Sequence, residues 1–69
     1  MQPSARGLVL DLLSTLRSGS AMSVGALVEA GALFGISENN VRVTVARLLA
    51  SGHVARDERG AYRLGGTSR

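Results

Sequence analysis

Residues 34–52 read FGISENNVRVTVARLLASG, and they contain the start, the body and the end of one predicted helix. Ser37 suits an N-cap, because its hydroxyl can accept a hydrogen bond from a free backbone N–H of the first helical turn. Gly52 suits the left-handed residue that follows many helices. The sequence therefore predicts a helix over residues 38–51.

This predicted helix divides into an apolar stripe and a polar face. Four apolar residues recur with a 3.6-residue period and are expected to face a core: Val41, Val45, Leu48 and Leu49. The opposite face carries short side chains, two amides and a cation: Asn39, Asn40, Val43, Ala46, Arg47 and Ala50, with Thr44 and Arg42 on its flanks. No carboxylate follows Glu38 in the helix, and we interpret it as a DNA-recognition helix.

A first helix is predicted from Ser4, as N-cap, to about Ser18, with Gly19 as its stop. Its broad apolar face is typical of a helix at the centre of a bundle. The face comprises Leu8, Val9, Leu12, Leu13 and Leu16, whereas Arg6, Asp11 and Arg17 lie outside it. Residues 20–22 are expected to be an extended connector that could pair with a later hairpin.

A second helix is predicted over residues 24–34, with Ser23 as its N-cap. Gly25 and Gly31 each lower its helix propensity by about 1 kcal/mol relative to Ala, so packing must hold it. We expect Gly31 to mark a close approach to another helix. Residues 35–37 then form a short turn, which gives the spacing of a helix-turn-helix.

After the third helix the apolar period changes from 3.6 residues to 2, over two segments separated by residues 58–60. This pattern predicts a hairpin with Gly60 in the left-handed conformation. Val54 and Leu64 are expected to lie on the core face of the hairpin. The predicted cross-strand pairs are Val54 with Leu64 and Arg56 with Tyr62.

These elements predict a mainly α fold with a small β-hairpin, a winged helix-turn-helix with three helices and a two- or three-stranded antiparallel wing. Residues 1–64 would form this domain, with the wing at residues 57–61. Residues 65–69 contain no apolar side chain and are interpreted as a tail or as the start of a linker to missing domains.

The composition limits the classes of function. A chain of 69 residues allows one small domain and leaves little room for an enclosed active site. No Cys is present, which excludes disulfides and thiolate metal sites. The net charge is +3 and all eight cations are Arg, which is compatible with nucleic-acid binding, although a GC-rich genome would also favour Arg. No membrane span or leader is predicted, so a cytoplasmic location is expected.

Catalysis has no support in the sequence, and we predict neither a cofactor nor a metal. The single His, His53, follows the third helix and is expected to be an exposed residue. Asp57 and Glu58 are adjacent and do not by themselves form an acid/base pair. The sequence contains no phosphate-binding glycine loop and no zinc-ligand spacing.

The run ALFGISENNVRVTVARLLASGHVARDERGAYRL, within residues 30–64, resembles the N-terminal domain of the PaaX-type family of bacterial transcriptional repressors. Its most specific parts are FGIS, Val41-Arg42, Arg47-Leu48 and the wing sequence RDERGAYRL. The first helix, SARGLVLDLLSTL, also has the expected Leu pattern. The resemblance implies a bacterial cytoplasmic repressor that binds a palindromic operator in double-stranded DNA as a homodimer. It also implies an aryl-CoA-type effector, which is expected only on domains absent from this chain.

The candidate DNA contacts lie near the start of the third helix and on the wing, because a helix in the major groove presents such residues to base edges. They are Ser37, Asn39, Asn40, Arg42, Val43, Thr44, Arg47 and Arg59. Arg59 would contact a phosphate or the minor groove, although Asp57 and Glu58 weaken the positive field there.

Simpler interpretations of these residues remain open. The polar face could be solvated surface, and Arg42 could contact a phosphate or support the second helix. Arg47 could pair with Glu29 or Glu38 instead of a base. The competing function is a winged helix used for protein association without sequence-specific DNA binding, because a fold does not fix a function.

Overall fold

The computed structural model describes residues 4–16 and 20–65. Within them, three helices, α1 (Ala5–Ser14), α2 (Val24–Leu33) and α3 (Glu38–Ala50), precede two strands, β1 (Val54–Arg56) and β2 (Tyr62–Leu64). The strands form one antiparallel two-stranded sheet. The predicted fold class is confirmed, since three helices followed by a hairpin make a winged helix.

Each helix begins at a serine that the sequence identified as a cap. In all three cases the serine is extended and its Oγ accepts a hydrogen bond from the backbone N–H three residues later. The distances are 3.0 Å from Ser4 to Gly7, 3.1 Å from Ser23 to Ala26 and 3.2 Å from Ser37 to Asn40.

Glycine-based caps end α2 and α3. At the end of α2, the N–H of Gly35 donates to the carbonyl of Ala32 at 3.1 Å. The N–H of Ile36 donates to the carbonyl of Gly31 at 2.9 Å. This is the Schellman pattern, and Gly35 has the left-handed φ of 78° that it requires. The same pattern ends α3, with Gly52 at φ 85°. The α2 and α3 helices each end one residue earlier than predicted, at Leu33 and at Ala50.

The α1 helix is shorter than predicted. It ends at Ser14, with Thr15 as its C-cap. Both hydroxyls donate to carbonyl oxygens three residues earlier, at 2.7 Å, and such bonds compete with continuation of the helix. The prediction is therefore wrong for Thr15 and Leu16, which are not helical, whereas the predicted end at Ser18 and the expected stop at Gly19 lie outside the described residues.

An aliphatic core joins the three helices, the turn before α3 and β1. Its buried residues are Ala5, Leu8, Val9, Leu13, Leu27, Ile36, Val41, Val45, Leu48 and Val54. The predicted α3 stripe is confirmed except at Leu49, which is 36% exposed where Leu48 is 2% exposed. Leu49 is displaced about 100° around the helix from Leu48, so it lies at the edge of the stripe.

The hairpin has the predicted register, including the pairing of Val54 with Leu64. Its core face is less extensive than predicted, because Val54 is buried and Leu64 is 41% exposed at the end of β2. The connector before α2 joins the sheet through an isolated bridge. The N–H of Met22 donates to the carbonyl of Tyr62 at 2.8 Å, and the N–H of Tyr62 donates back at 2.7 Å. The expected pairing of this connector is confirmed.

Gly31 marks the close approach of α2 to α3, as the sequence predicted. A Cβ atom at this position would lie 2.7 Å from Cγ2 of Val41. That separation is well inside van der Waals contact, so the two helices meet at a distance that only glycine permits.

Adjacent leucines provide a matched test of the α3 register. Leu48→Ala should cost about 2–5 kcal/mol, because it leaves a cavity in a core that supplies most of the stability of so small a domain. Leu49→Ala should cost less than about 1 kcal/mol, because its side chain is already partly solvated. Urea unfolding followed by circular dichroism measures both. Equal losses for the two variants would contradict this register.

Two helical glycines test the close approach. Gly31→Ala should destabilise the domain by about 1–3 kcal/mol, because the overlap with Val41 exceeds the gain in helix propensity. Gly25→Ala should instead stabilise it by up to about 1 kcal/mol, since its Cβ would lie 3.8 Å from the nearest atom, the Oγ of Ser23. Thermal unfolding of both variants gives the comparison. A stabilised Gly31→Ala protein would show that the helices are not held at this distance.

Candidate nucleic-acid interface

One side of α3 is exposed along its whole length. The exposed residues opposite the core stripe are Asn39, Asn40, Val43, Ala46, Arg47 and Ala50. Every predicted contact residue except Arg59 belongs to α3 or to its cap. The helix therefore brings these side chains to one surface and its flanks, as the 3.6-residue period predicted.

Two polar residues of this surface are linked to each other. Oγ1 of Thr44 donates to Oδ1 of Asn40 at 3.4 Å, which is long for a hydroxyl donor and indicates a weak bond. Ser37 engages the same region, because its Oγ accepts from the backbone N–H of Asn40. The Asn40 amide can therefore exchange its weak bond for one with a ligand at little cost.

Arg42 lies on one flank of this surface and is ion-paired. Its Nε lies 2.8 Å from Oε2 of Glu38, one turn earlier, with the two side chains 53% and 60% exposed. Exposed pairs of this kind contribute only about 0–1 kcal/mol. The ion pair runs along α3 instead of bracing α2, which was one of the roles considered for Arg42.

Arg47 is exposed. Among residues 4–16 and 20–65, no carboxylate lies within 4.0 Å of its guanidinium group, and the ion pair found there joins Arg42 to Glu38. The alternative in which Arg47 pairs with Glu29 or Glu38 is therefore not observed. Arg47 instead lines an open cleft of about 200 Å³ together with Thr44, Leu48 and Arg6 of α1. Sequence reasoning did not select Arg6 as a site residue.

Asp57 organises the tip of the wing. Its Oδ1 accepts hydrogen bonds from the backbone N–H groups of Arg59 and Ala61, both at 2.9 Å. Gly60, with φ 85°, donates its N–H to the Asp57 carbonyl at 3.0 Å and closes the predicted three-residue loop. The sequence suggested only that Asp57 weakens the local positive field, whereas the structure shows that it holds the loop that carries Arg59.

The same contacts lower the pKa of the Asp57 carboxyl. The largest cause is the hydrogen bond from the Ala61 N–H, partly opposed by desolvation. The hydrogen bond from the Arg59 N–H and the positive charges of Arg59 and Arg63 lower the pKa further. The Asp57 carboxyl therefore remains ionised at pH values low enough to protonate an unperturbed aspartate.

Arg59 is exposed on the wing and is not brought against α3. It lines an open groove of about 460 Å³ with Ser20, Ser23 and Asp57, between the wing and the segment that precedes α2. The candidate contacts therefore form two groups, the exposed surface of α3 and the tip of the wing.

No group of three or more His, Asp or Glu side chains that could hold a metal occurs in the described part of the chain. His53 is exposed, and its Nδ1 lies 2.7 Å from Oγ of Ser51. Among the described residues, no helix combines the length and the apolar character needed to cross a bilayer.

The three helices, the exposed surface of α3 and the hairpin together define a winged helix-turn-helix domain. The family model described as PaaX-like protein matches residues 4–68, nearly the whole chain. The chain belongs to the PaaX-like family, which is a family of regulators and not of enzymes. No curated protein and no solved structure was found to match the chain.

The order of the wing tip should depend on the Asp57 carboxylate. Because the folded pKa lies below the unfolded one, the stabilisation is complete above the unfolded pKa and is lost as the pH falls through the folded value. The amide proton shifts of Arg59 and Ala61 should titrate together, with a midpoint below the ordinary Asp value of about 3.9. NMR spectra recorded between about pH 2 and 6 measure this midpoint.

Glu58 provides the control, because it is adjacent, exposed and makes no hydrogen bond to the loop among the described residues. Asp57→Ala should increase the hydrogen exchange of the Arg59 and Ala61 amides, and Glu58→Ala should leave it nearly unchanged. A midpoint at or above the ordinary value would contradict the role assigned to Asp57.

Proposed function

We propose that this chain is the DNA-binding domain of a bacterial transcriptional repressor. The observation that carries the proposal is the exposed surface of α3, whose opposite side is buried in the core. This surface carries two amides and Arg47, which has no carboxylate partner among the described residues. A helix with this placement in a winged helix enters the major groove, and the wing then lies along the backbone or the minor groove. Membership in a family of regulators supports the same function.

Base recognition would come from the side chains at the centre of this surface. Arg47 can offer two donors to O6 and N7 of guanine, and Asn39 or Asn40 can form the corresponding amide pair with adenine. Val43, which is 39% exposed, offers methyl groups to the methyl group of thymine. Each good pair discriminates against the wrong base by about 1–3 kcal/mol.

Phosphate contacts would come from the edges. Arg42 can exchange its exposed carboxylate partner for a phosphate at little cost. Thr44 and Ser37 can donate hydroxyl hydrogens, and Arg59 would reach the backbone or the minor groove from the loop held by Asp57.

The natural protein would bind a palindromic operator as a homodimer in the cytoplasm. One domain reads one half-site, and a dimer places two α3 helices roughly 34–36 Å apart on successive turns of the duplex. In this proposal residues 1–64 contact DNA, residues 65–69 lead toward further domains, and an aryl-CoA-type effector acts on those domains.

A titration over ionic strength tests the proposed function. Fluorescence anisotropy of a labelled duplex should show binding whose log affinity falls linearly with log salt, because phosphate contacts release counterions. Selection from a random duplex library should give a preferred half-site. Arg47→Ala should lose about 1–3 kcal/mol of preference at one base step, whereas Arg42→Ala should weaken binding to all sequences alike.

Two outcomes would contradict these roles. The absence of salt-dependent binding would favour a protein-association module over a DNA-binding domain. An Arg47→Ala protein that selected the same sequences as the wild type would remove Arg47 from base recognition.

A further inference from the structure

Arg6 lies in the first turn of α1 but faces the cleft beside α3. The cleft has an open volume of about 200 Å³ and is lined by Arg6, Thr44, Arg47 and the buried Leu48. Packing of α1 against α3 brings Arg6 and Arg47 to the lining of one cavity, although they are far apart in the sequence. The cleft therefore extends the exposed α3 surface onto α1.

The stability of the fold does not account for an arginine at this position. The helix dipole places partial positive charge at the start of α1, where a cation is unfavourable by about 0.3–1 kcal/mol. The first turn contains no acidic residue, and no described carboxylate lies within 4.0 Å of Arg6 or Arg47. Two cations that line one cleft also repel each other. A residue that breaks a local rule without a compensating contact indicates a functional position.

Two guanidinium groups and a hydroxyl form a set of donors suited to a phosphate oxygen. An anion bound between Arg6 and Arg47 would relieve the repulsion between their positive charges. The cleft is open and adjoins the α3 surface, so a free anion there would remain largely hydrated and weakly held. A duplex that receives α3 would instead bring backbone phosphates to the edge of that surface.

We propose that Arg6 binds a phosphodiester of the DNA backbone at the α1 side of the major groove. This inference rests on the proposed function and adds a contact from a helix outside the helix-turn-helix pair. Arg6 takes the phosphate and thereby leaves Arg47 available for a guanine edge. The opposite flank of α3 differs, because Arg42 there is neutralised by Glu38 in the free protein.

The test compares the wild-type chain with Arg6→Gln, Arg6→Lys and Arg63→Gln. Arg63 is an exposed arginine of β2, so its variant has the same change in net charge outside the cleft. Anisotropy titrations use a duplex of about 16 base pairs and arbitrary sequence over a potassium chloride series. A phosphate contact does not depend on base sequence, so the unknown operator is not needed.

The lost phosphate contact should lower the salt slope of Arg6→Gln by about 0.9 and weaken binding about fivefold to tenfold at ~0.1 M salt. Arg6→Lys should keep the wild-type slope, because a phosphate contact needs the charge more than the guanidinium fork. Arg63→Gln should change the slope by less than half as much. Library selection with Arg6→Gln should return the wild-type base preference, in contrast to Arg47→Ala.

Failure of the inference differs from failure of the proposed function. The role of Arg6 alone is overturned if the wild type binds DNA with a normal salt slope and Arg6→Gln has the same slope as the wild type. It is also overturned if the slopes of Arg6→Gln and Arg63→Gln are equal. No salt-dependent binding by the wild type overturns both proposals.

Two further measurements complete the test. The melting temperature of Arg6→Gln should equal or exceed that of the wild type, and a lower value would assign Arg6 to the stability of α1. Inorganic phosphate, added at constant ionic strength up to about 10 mM, should cause no saturable shift of the Arg6 and Thr44 amide signals. A saturable shift would identify a site for a free anion and would overturn the assignment to DNA.

Discussion

The contact between Gly31 and Val41 sets the position of the exposed surface of α3. Gly31 has no side chain, so the fully buried Val41 in the first turn of α3 can lie against the α2 backbone. The carbonyl of Gly31 also accepts from the N–H groups of Phe34 and Ile36, each at 2.9 Å. One residue thus both closes the turn and determines how near the two helices lie. A side chain there would move α3 relative to α1 and the wing, and with it every candidate contact except Arg59.

The charge of this surface is asymmetric. Arg42, on one flank of α3, is compensated by Glu38. Arg47 of the exposed α3 surface and Arg6 of α1 are uncompensated among the described residues and lie toward the opposite flank. A polyanion would be attracted mainly toward the α1 side, because a compensated pair contributes little field at a distance. In the proposed DNA complex, this asymmetry would orient the domain on the duplex before any base is contacted.

Features that depend on neighbouring residues in sequence were predictable here, and features that depend on packing were not. Ser37 as a cap and Gly60 as a left-handed turn residue follow from local chemistry, and both are confirmed. The exposure of Leu49 and Leu64 was not predictable, because it depends on what covers the edge of the core. Arg6 was missed because its cleft arises only when α1 packs on α3, although a cation in a first helical turn was an available signal.

The junction of the connector, β2 and the core contains the single Tyr of a chain that has no Trp. Tyr62 is half-buried and exchanges two backbone hydrogen bonds with Met22, so its ring reports on the place where the wing is anchored. Because the chain has no tryptophan, tryptophan emission does not mask the fluorescence of Tyr62. Tyrosine fluorescence therefore reports on this single position without an added label. The unmodified protein thus contains its own optical probe of wing detachment, separate from the helical signal of α1, α2 and α3.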